Sequence, residues 1–145
     1  MAAHPDLVRR VPAHRMRLIA DRAHANDTAA VVLMLDLGFD PLARGVDGWE
    51  PIRWAAYHGN AELVRRLLQH NPPLTVPDPS YGGTPLGQCL HGSLFGWERR
   101  SSDYPASVRL LLEAGSPLDP SWVPIGRDDV DAVLRSHLTS HASDG

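Results

Sequence analysis

The chain has 145 residues, 43% hydrophobic and 21% charged, the proportions of one globular domain rather than of a disordered chain. Its net charge of −3 removes any global electrostatic case for nucleic acid or a membrane surface, and no apolar run approaches the roughly 20 residues of a membrane span. A single cysteine, Cys89, excludes an internal disulfide, and the polar N-terminus lacks an apolar signal core, so a cytoplasmic monomer is expected.

In chain order, residues 1–12 carry Pro5, Pro12 and Arg9-Arg10 and read as an entry segment, with one helical turn over 6–10. The pattern predicts a helix over 13–25, with Met16, Ile19, Ala20 and Ala23 inward. Asn26-Asp27 breaks it. A second helix follows over 28–37, with Ala30, Val31, Met34 and Leu35 inward and Gly38 as its C-terminal glycine. The stretch 48–68 repeats this arrangement more clearly. Pro51 suits a first helical turn, Gly59-Asn60 is a tight break, and Leu63, Val64, Leu67 and Leu68 form an apolar stripe. A helical hairpin this short cannot bury its own apolar face and needs neighbours.

The two hairpins superpose at a fixed offset. Ala23 and Ala56, Ala30 and Leu63, Val31 and Val64, Met34 and Leu67, and Leu35 and Leu68 each differ by 33 positions. A third copy is stretched: Thr84-Pro85-Leu86 lies 34 positions after Glu50-Pro51-Ile52, whereas Leu111-Leu112 lies 44 after Leu67-Leu68. About ten extra residues therefore fall within 92–103, after which Asp103 is positioned to cap the returning helix through Val108, Leu111 and Leu112. Residues 121–126 are too broken by proline and glycine for a full helix. Val130, Val133 and Leu134 mark a last helix, and residues 140–145 read as a flexible tail.

A period of 33 residues is that of ankyrin repeats. Gly83-Thr84-Pro85-Leu86, Ala55-Ala56…Gly59-Asn60, and the endings Leu67-Leu68-Gln69-His70-Asn71 and Leu111-Leu112-Glu113-Ala114-Gly115 resemble that family over roughly residues 14–119. The resemblance implies an all-α ankyrin-repeat solenoid of stacked helix-turn-helix units. Its repeats span about 13–44, 45–77 and 78–119, with an insertion at 92–103, a degenerate C-terminal cap at 120–139 and the tail at 140–145. The family's Thr-Pro-Leu-His becomes Glu50-Pro51-Ile52-Arg53 in the second copy and Thr84-Pro85-Leu86-Gly87 in the third. Both lack the histidine that ties neighbouring repeats in the family, so the polar ties here must differ.

No Gly-rich phosphate loop, cysteine pair or nucleophile elbow is present, and no catalytic residue or cofactor is expected. The eight histidines do not make a metal site. His24, Tyr57 and His91 are equivalent repeat positions, so His24 and His91 lie on the order of 20 Å apart at the usual spacing of packed helices, too far to share one ion. Cys89 matches Ala55 and reads as a packed core thiol. Acidic residues near the start of the last helix suit its dipole. By resemblance, Trp49, Tyr57, His58, Tyr81 and His91 fall on the family's variable concave face, where solenoids meet partners. The insertion adds Phe95, Trp97, Arg99 and Arg100. These are aromatic and guanidinium groups of the kind that dominate binding hot spots; the alternative is an extension of the first helix whose Phe95 and Trp97 cover the core, with solvated arginines. The expected function is non-catalytic binding of another protein through the concave face and the insertion, with Trp49, Tyr57, His58, Tyr81, His91, Trp97, Arg99 and Arg100 in contact. The alternative is a small-molecule or enzymatic pocket between the insertion and the Trp49/Tyr57/His91 column.

Overall fold

The computed structural model describes residues 12–45, 47–78 and 82–142. The expected turn over 6–10 and Tyr81 lie outside them. After a 3-10 turn at Ala13–Arg15, seven α-helices follow: α1 (Leu18–His24), α2 (Thr28–Asp36), α3 (Pro51–Tyr57), α4 (Ala61–Leu68), α5 (Pro85–Phe95), α6 (Tyr104–Glu113) and α7 (Asp128–Ala142). A second 3-10 turn, Pro120–Trp122, precedes α7 where a full helix was excluded. The last helix runs on through Ala142, past the expected boundary of the tail at residue 140.

Three hairpins, α1/α2, α3/α4 and α5/α6, stack in register. The first helices form one layer in the order α1, α3, α5, the second helices form another in the order α2, α4, α6, and α7 closes the end against α6. Local chemistry repeats with the stack. Each second helix opens on a side-chain cap: Asp27 accepts from the Ala30 N–H, Asn60 from the Leu63 N–H and Asp103 from the Ala106 N–H, all at 3.1 Å. All three caps share one backbone conformation, with φ between −95° and −82° and ψ between 77° and 86°. Each supplies an acceptor for an otherwise orphan helical N–H.

The layers meet on a continuous core. Ile19, Ala23, Val31, Ile52, Ala55, Ala56, Leu63, Val64, Leu67, Leu86, Cys89, Val108, Leu111 and Leu134 are all buried, whereas Leu68 is only partly so. Leu67→Ala is expected to destabilise by about 2–5 kcal/mol in denaturant melts, and a loss under about 0.5 kcal/mol would mean the hairpin is misassigned. Cys89 is fully buried, and burial pushes its thiol well above the ordinary range. It should react with a thiol reagent slowly in the folded protein and quickly once unfolded.

Neighbouring repeats are held by polar ties in place of the missing histidines. Asn60 Nδ2 donates to Asn26 Oδ1 (2.9 Å) and to Thr28 Oγ1 (2.6 Å) in the preceding repeat. Arg53, at the position of the lost histidine, is only 1% exposed. Its guanidinium pairs with Glu50 (2.6 Å), donates to the Val76 carbonyl (2.6 Å) at the end of its own repeat, and reaches into the third repeat to the Gly83 carbonyl (2.8 Å) and Gln88 Oε1 (3.2 Å). Gln88 Nε2 in turn donates to Asp78 (2.9 Å), which also accepts from the Gly83 N–H. Glu50 therefore spends its carboxylate on Arg53 and on Arg44, and makes no side-chain cap to α3.

The insertion divides into two parts. α1 ends at His24 and α3 at Tyr57, but α5 continues one turn past the equivalent His91 to Phe95. Gly92 permits this. A Cβ there would stand 1.9 Å from the Tyr57 carbonyl oxygen, so only glycine lets the helix pass over the end of α3. That carbonyl accepts a hydrogen bond from the buried Tyr104 hydroxyl (2.7 Å). The remaining residues, 97–102, form an irregular turn leading to Asp103. Arg127, ahead of α7, anchors the extension. It donates to the carbonyls of Ser93 and Arg99 at 2.8 Å, and its guanidinium carbon lies 5.0 Å from the centre of the Tyr104 ring. Phe95 and Trp97 are 66% and 67% exposed, which removes the reading that they cover the core.

The carboxylates around α7 act more locally than the dipole alone requires. Asp131 is buried and accepts from the N–H groups of Ile125 (2.8 Å) and Gly126 (3.0 Å). Arg127 pairs with Asp129 at 2.8 Å and holds its carboxyl below the usual range.

Candidate functional site: an aromatic cleft across three repeats

The ends of α1, α3 and α5 gather aromatic side chains at one place. His24, from the first repeat, stacks on Trp54 with ring centres 3.9 Å apart and 9° between planes. Trp49 packs on Trp54 (4.5 Å, 47°) and lies edge-on to Tyr57 (6.2 Å, 62°), while Trp54 and Tyr57 stand nearly perpendicular at 84°. His91, one repeat on, stacks on Tyr57 at 6.2 Å. Trp97, from the insertion, reaches back to Tyr57 (5.9 Å) and to His24 (5.8 Å), so the third repeat touches the first. The helical extension at Gly92 makes this reach possible.

These rings wall an open cleft of about 1010 Å³. Asp47, Trp49, Trp54 and Tyr57 line it from the second repeat, His24 from the first, and Asp78, Gln88, His91 and Trp97 from the third. The structure thus brings together four of the expected site residues, Trp49, Tyr57, His91 and Trp97. Trp49 and Trp54 are each only 9% exposed, so they form the floor, and Trp97 is the open wall. Arg99 and Arg100 are exposed on the turn just beyond it.

His58 is a correction. It was expected on the surface with Tyr57, yet it is 1% exposed, and its Nε2–H donates to the His24 carbonyl at 2.7 Å. It is a further tie between repeats and takes over the role of the absent motif histidine from a different position. Its Nδ1 is buried without a hydrogen-bond partner, which disfavours a second proton. Burial lowers the His58 pKa and outweighs the opposing pull of the His24 carbonyl and of the Glu98 carboxylate. The neutral imidazole is therefore the native form. The unfolded chain, with an ordinary histidine pKa of about 6.5, takes up the proton first. Stability is full above that value and is lost as pH falls below it. His58→Gln should flatten the decline in melting temperature between about pH 7 and pH 5, and an equal slope in both proteins would remove His58 as its source.

Residues not expected at the site also appear. His24 and Asp47 line the cleft, and the Arg53, Gln88 and Asp78 chain supports its inner edge. The one signal for the latter was arginine at the motif's histidine position. Among the described residues, no group of three or more histidine, cysteine or acidic side chains is placed to hold a metal ion. No helix among them is long and apolar enough to cross a membrane. A second hollow of about 440 Å³ lies between α6 and α7, lined by Arg109, Glu113, Asp129 and His137, and no tryptophan, tyrosine or phenylalanine lines it.

Stacked helical hairpins at a 33-residue period, tied end to end and joined by tight turns, define a repeat solenoid. Residues 47–79 match the model of the ankyrin repeat, and the hairpins on either side share its helix-turn-helix form. It is similar to Protein PhlB of Serratia liquefaciens, at 36% identity over 61 residues that cover 42% of this chain and 27% of that protein. The chain thus spans little more than a quarter of the length of that curated relative. Ankyrin repeats in general mediate protein–protein interaction.

Proposed function

We propose that this chain is a non-catalytic protein-binding module whose partner seats on the aromatic cleft of the first-helix layer and on the turn at 97–102. The observation that carries this reading is Trp97. It is two-thirds exposed, large and apolar, and it is held over the rings of two other repeats by a helical extension that Gly92, Tyr104 and Arg127 secure. An exposed tryptophan on a fixed support, beside Tyr57, His91, Arg99 and Arg100, has the composition of a binding hot spot. Trp49 contributes as the floor under Tyr57, and His58 contributes only by fixing the stack. Tyr81 belongs to the same repeat edge by sequence.

A small-molecule site is the second reading, and it draws on the hollow itself, since a flat face would leave no room for one. The lining disfavours chemistry there. No serine, threonine, cysteine or lysine faces the cleft among the described residues, which leaves the Tyr57 phenol as its one hydroxyl and no thiol or amine nucleophile beside the histidines.

The test is to replace residues 97–102 by a Gly-Asn turn like Gly59-Asn60, keeping α5 and the Asp103 cap. Cutting from residue 92 would remove the buried Gly92 and Ser93 and disturb the core instead. The shortened protein should keep its helical content and lose the Arg127 bond to residue 99 and the ring contacts of Trp97. It should no longer retain the proteins that the immobilised intact chain captures from its native cell. Retention of every such partner by the shortened protein would show the reading to be wrong.

A further inference from the structure

The geometry points to the cleft as the seat of a basic side chain, the lysine or arginine of an extended partner segment. This rests on the reading of the cleft as the partner site and adds what the partner must carry there. Two independent features select a cation. The first is the arrangement of rings. Tyr57 stands at 62° to 84° to Trp49, Trp54 and Trp97, so the rings border the cleft from more than one direction instead of forming one flat wall. Aromatic faces carry negative charge density and attract ammonium and guanidinium groups within about 6 Å.

The second feature is charge. Among the described residues no arginine lines the cleft, while the carboxylate of Asp47 stands at its rim. The Asp47 side chain is 57% exposed at the rim, 3.9 Å from the His24 imidazole. Asp78 is buried at the inner edge, where it accepts hydrogen bonds from Gly83 and Gln88. A phosphate or carboxylate at the rim would meet Asp47 with no arginine in the lining to offset it. A neutral apolar side chain would strip water from Asp47 and give nothing back. A basic head on an apolar stem satisfies both the rings and Asp47. The volume, about 1010 Å³, is larger than one side chain fills and leaves room for the backbone that carries it.

Short blocked peptides that differ only at a central lysine, arginine or norleucine test this, with binding to the intact chain followed by calorimetry. The lysine and arginine peptides should bind about tenfold more tightly than the norleucine peptide. Asp47→Asn, a change at an exposed side chain that leaves the fold alone, should weaken the two basic peptides about threefold and leave the norleucine peptide unchanged. Trp97→Ala should weaken them further while the melting temperature holds. Equal binding of all three peptides, or no binding of any, overturns the inference. If the intact chain captures partners that the shortened chain loses, yet excess lysine peptide does not compete, the cation is wrong and the partner site stands. If the shortened chain captures them all, the site itself is wrong.

Discussion

Replacing Arg53 with alanine is expected to destabilise the protein by about 3–5 kcal/mol, because it leaves a buried carboxylate short of its partner. Glu50 would keep only Arg44, whose side chain is 55% exposed, and the carbonyls of Val76 and Gly83 would lose their donor. The loss should appear as reduced coupling between the second and third repeats, since Arg53 is the side chain that spans them at this edge. Arg53→Lys should recover little of it. One ammonium cannot reproduce a planar fork that meets a carboxylate, two carbonyls and an amide oxygen at once. Chemical denaturation of the three proteins decides the matter, and a change under about 1 kcal/mol for Arg53→Ala would mean the network contributes nothing net.

Gly92→Ala should be comparably severe, at about 3 kcal/mol or more, the upper end of overpacking costs. The added methyl would lie 1.9 Å from the Tyr57 oxygen and 2.8 Å from its carbonyl carbon, and backbone on both sides leaves no flexible side chain to give way. Relief requires α5 to lift away from α3, which also breaks the bond from the Tyr104 hydroxyl to Tyr57. By contrast Gly87→Ala, where the nearest atom is the Thr84 hydroxyl at 3.6 Å, should be tolerated. Thermal melts of the two variants side by side give the comparison, and equal melting temperatures would contradict the close crossing.

The stack was legible because its signals are local and periodic. Apolar pairs at an offset of 33, Pro51 and Pro85 at helix starts, and Asn60 and Asp103 beside tight turns each act within a few residues, so spacing alone reveals them. Trp97 was also within reach, because an aromatic side chain in an insertion beside the first helices has few other places to lie. What sequence could not supply depends on atoms far away in the chain. Gly92 looked like the start of a loop, and its role appears only once the Tyr57 carbonyl, 35 positions earlier, is placed against it. The insertion therefore read either as a binding loop or as a helix extension whose aromatics cover the core, when it is a helical turn that leaves Phe95 and Trp97 exposed. His58 and Tyr57 adjoin in sequence and share a ring character, but the His24 carbonyl draws one inward and leaves the other in the cleft. Arg53 announced itself as a departure from the motif. Its acceptors are backbone carbonyls whose position depends on the path of the loop before α5, which no residue pattern encodes.

The most direct measurement of the central claim is amide hydrogen exchange on the intact chain with and without a captured partner. Protection is expected at residues 96–102 and in the last turns of α1, α3 and α5, where Trp97, His24, Tyr57 and His91 converge. The second-helix layer, α2 and α4, should exchange at the same rate in both states. Protection confined to α2 and α4, with residues 96–102 unchanged, would place the partner on the opposite layer and contradict the cleft as its site.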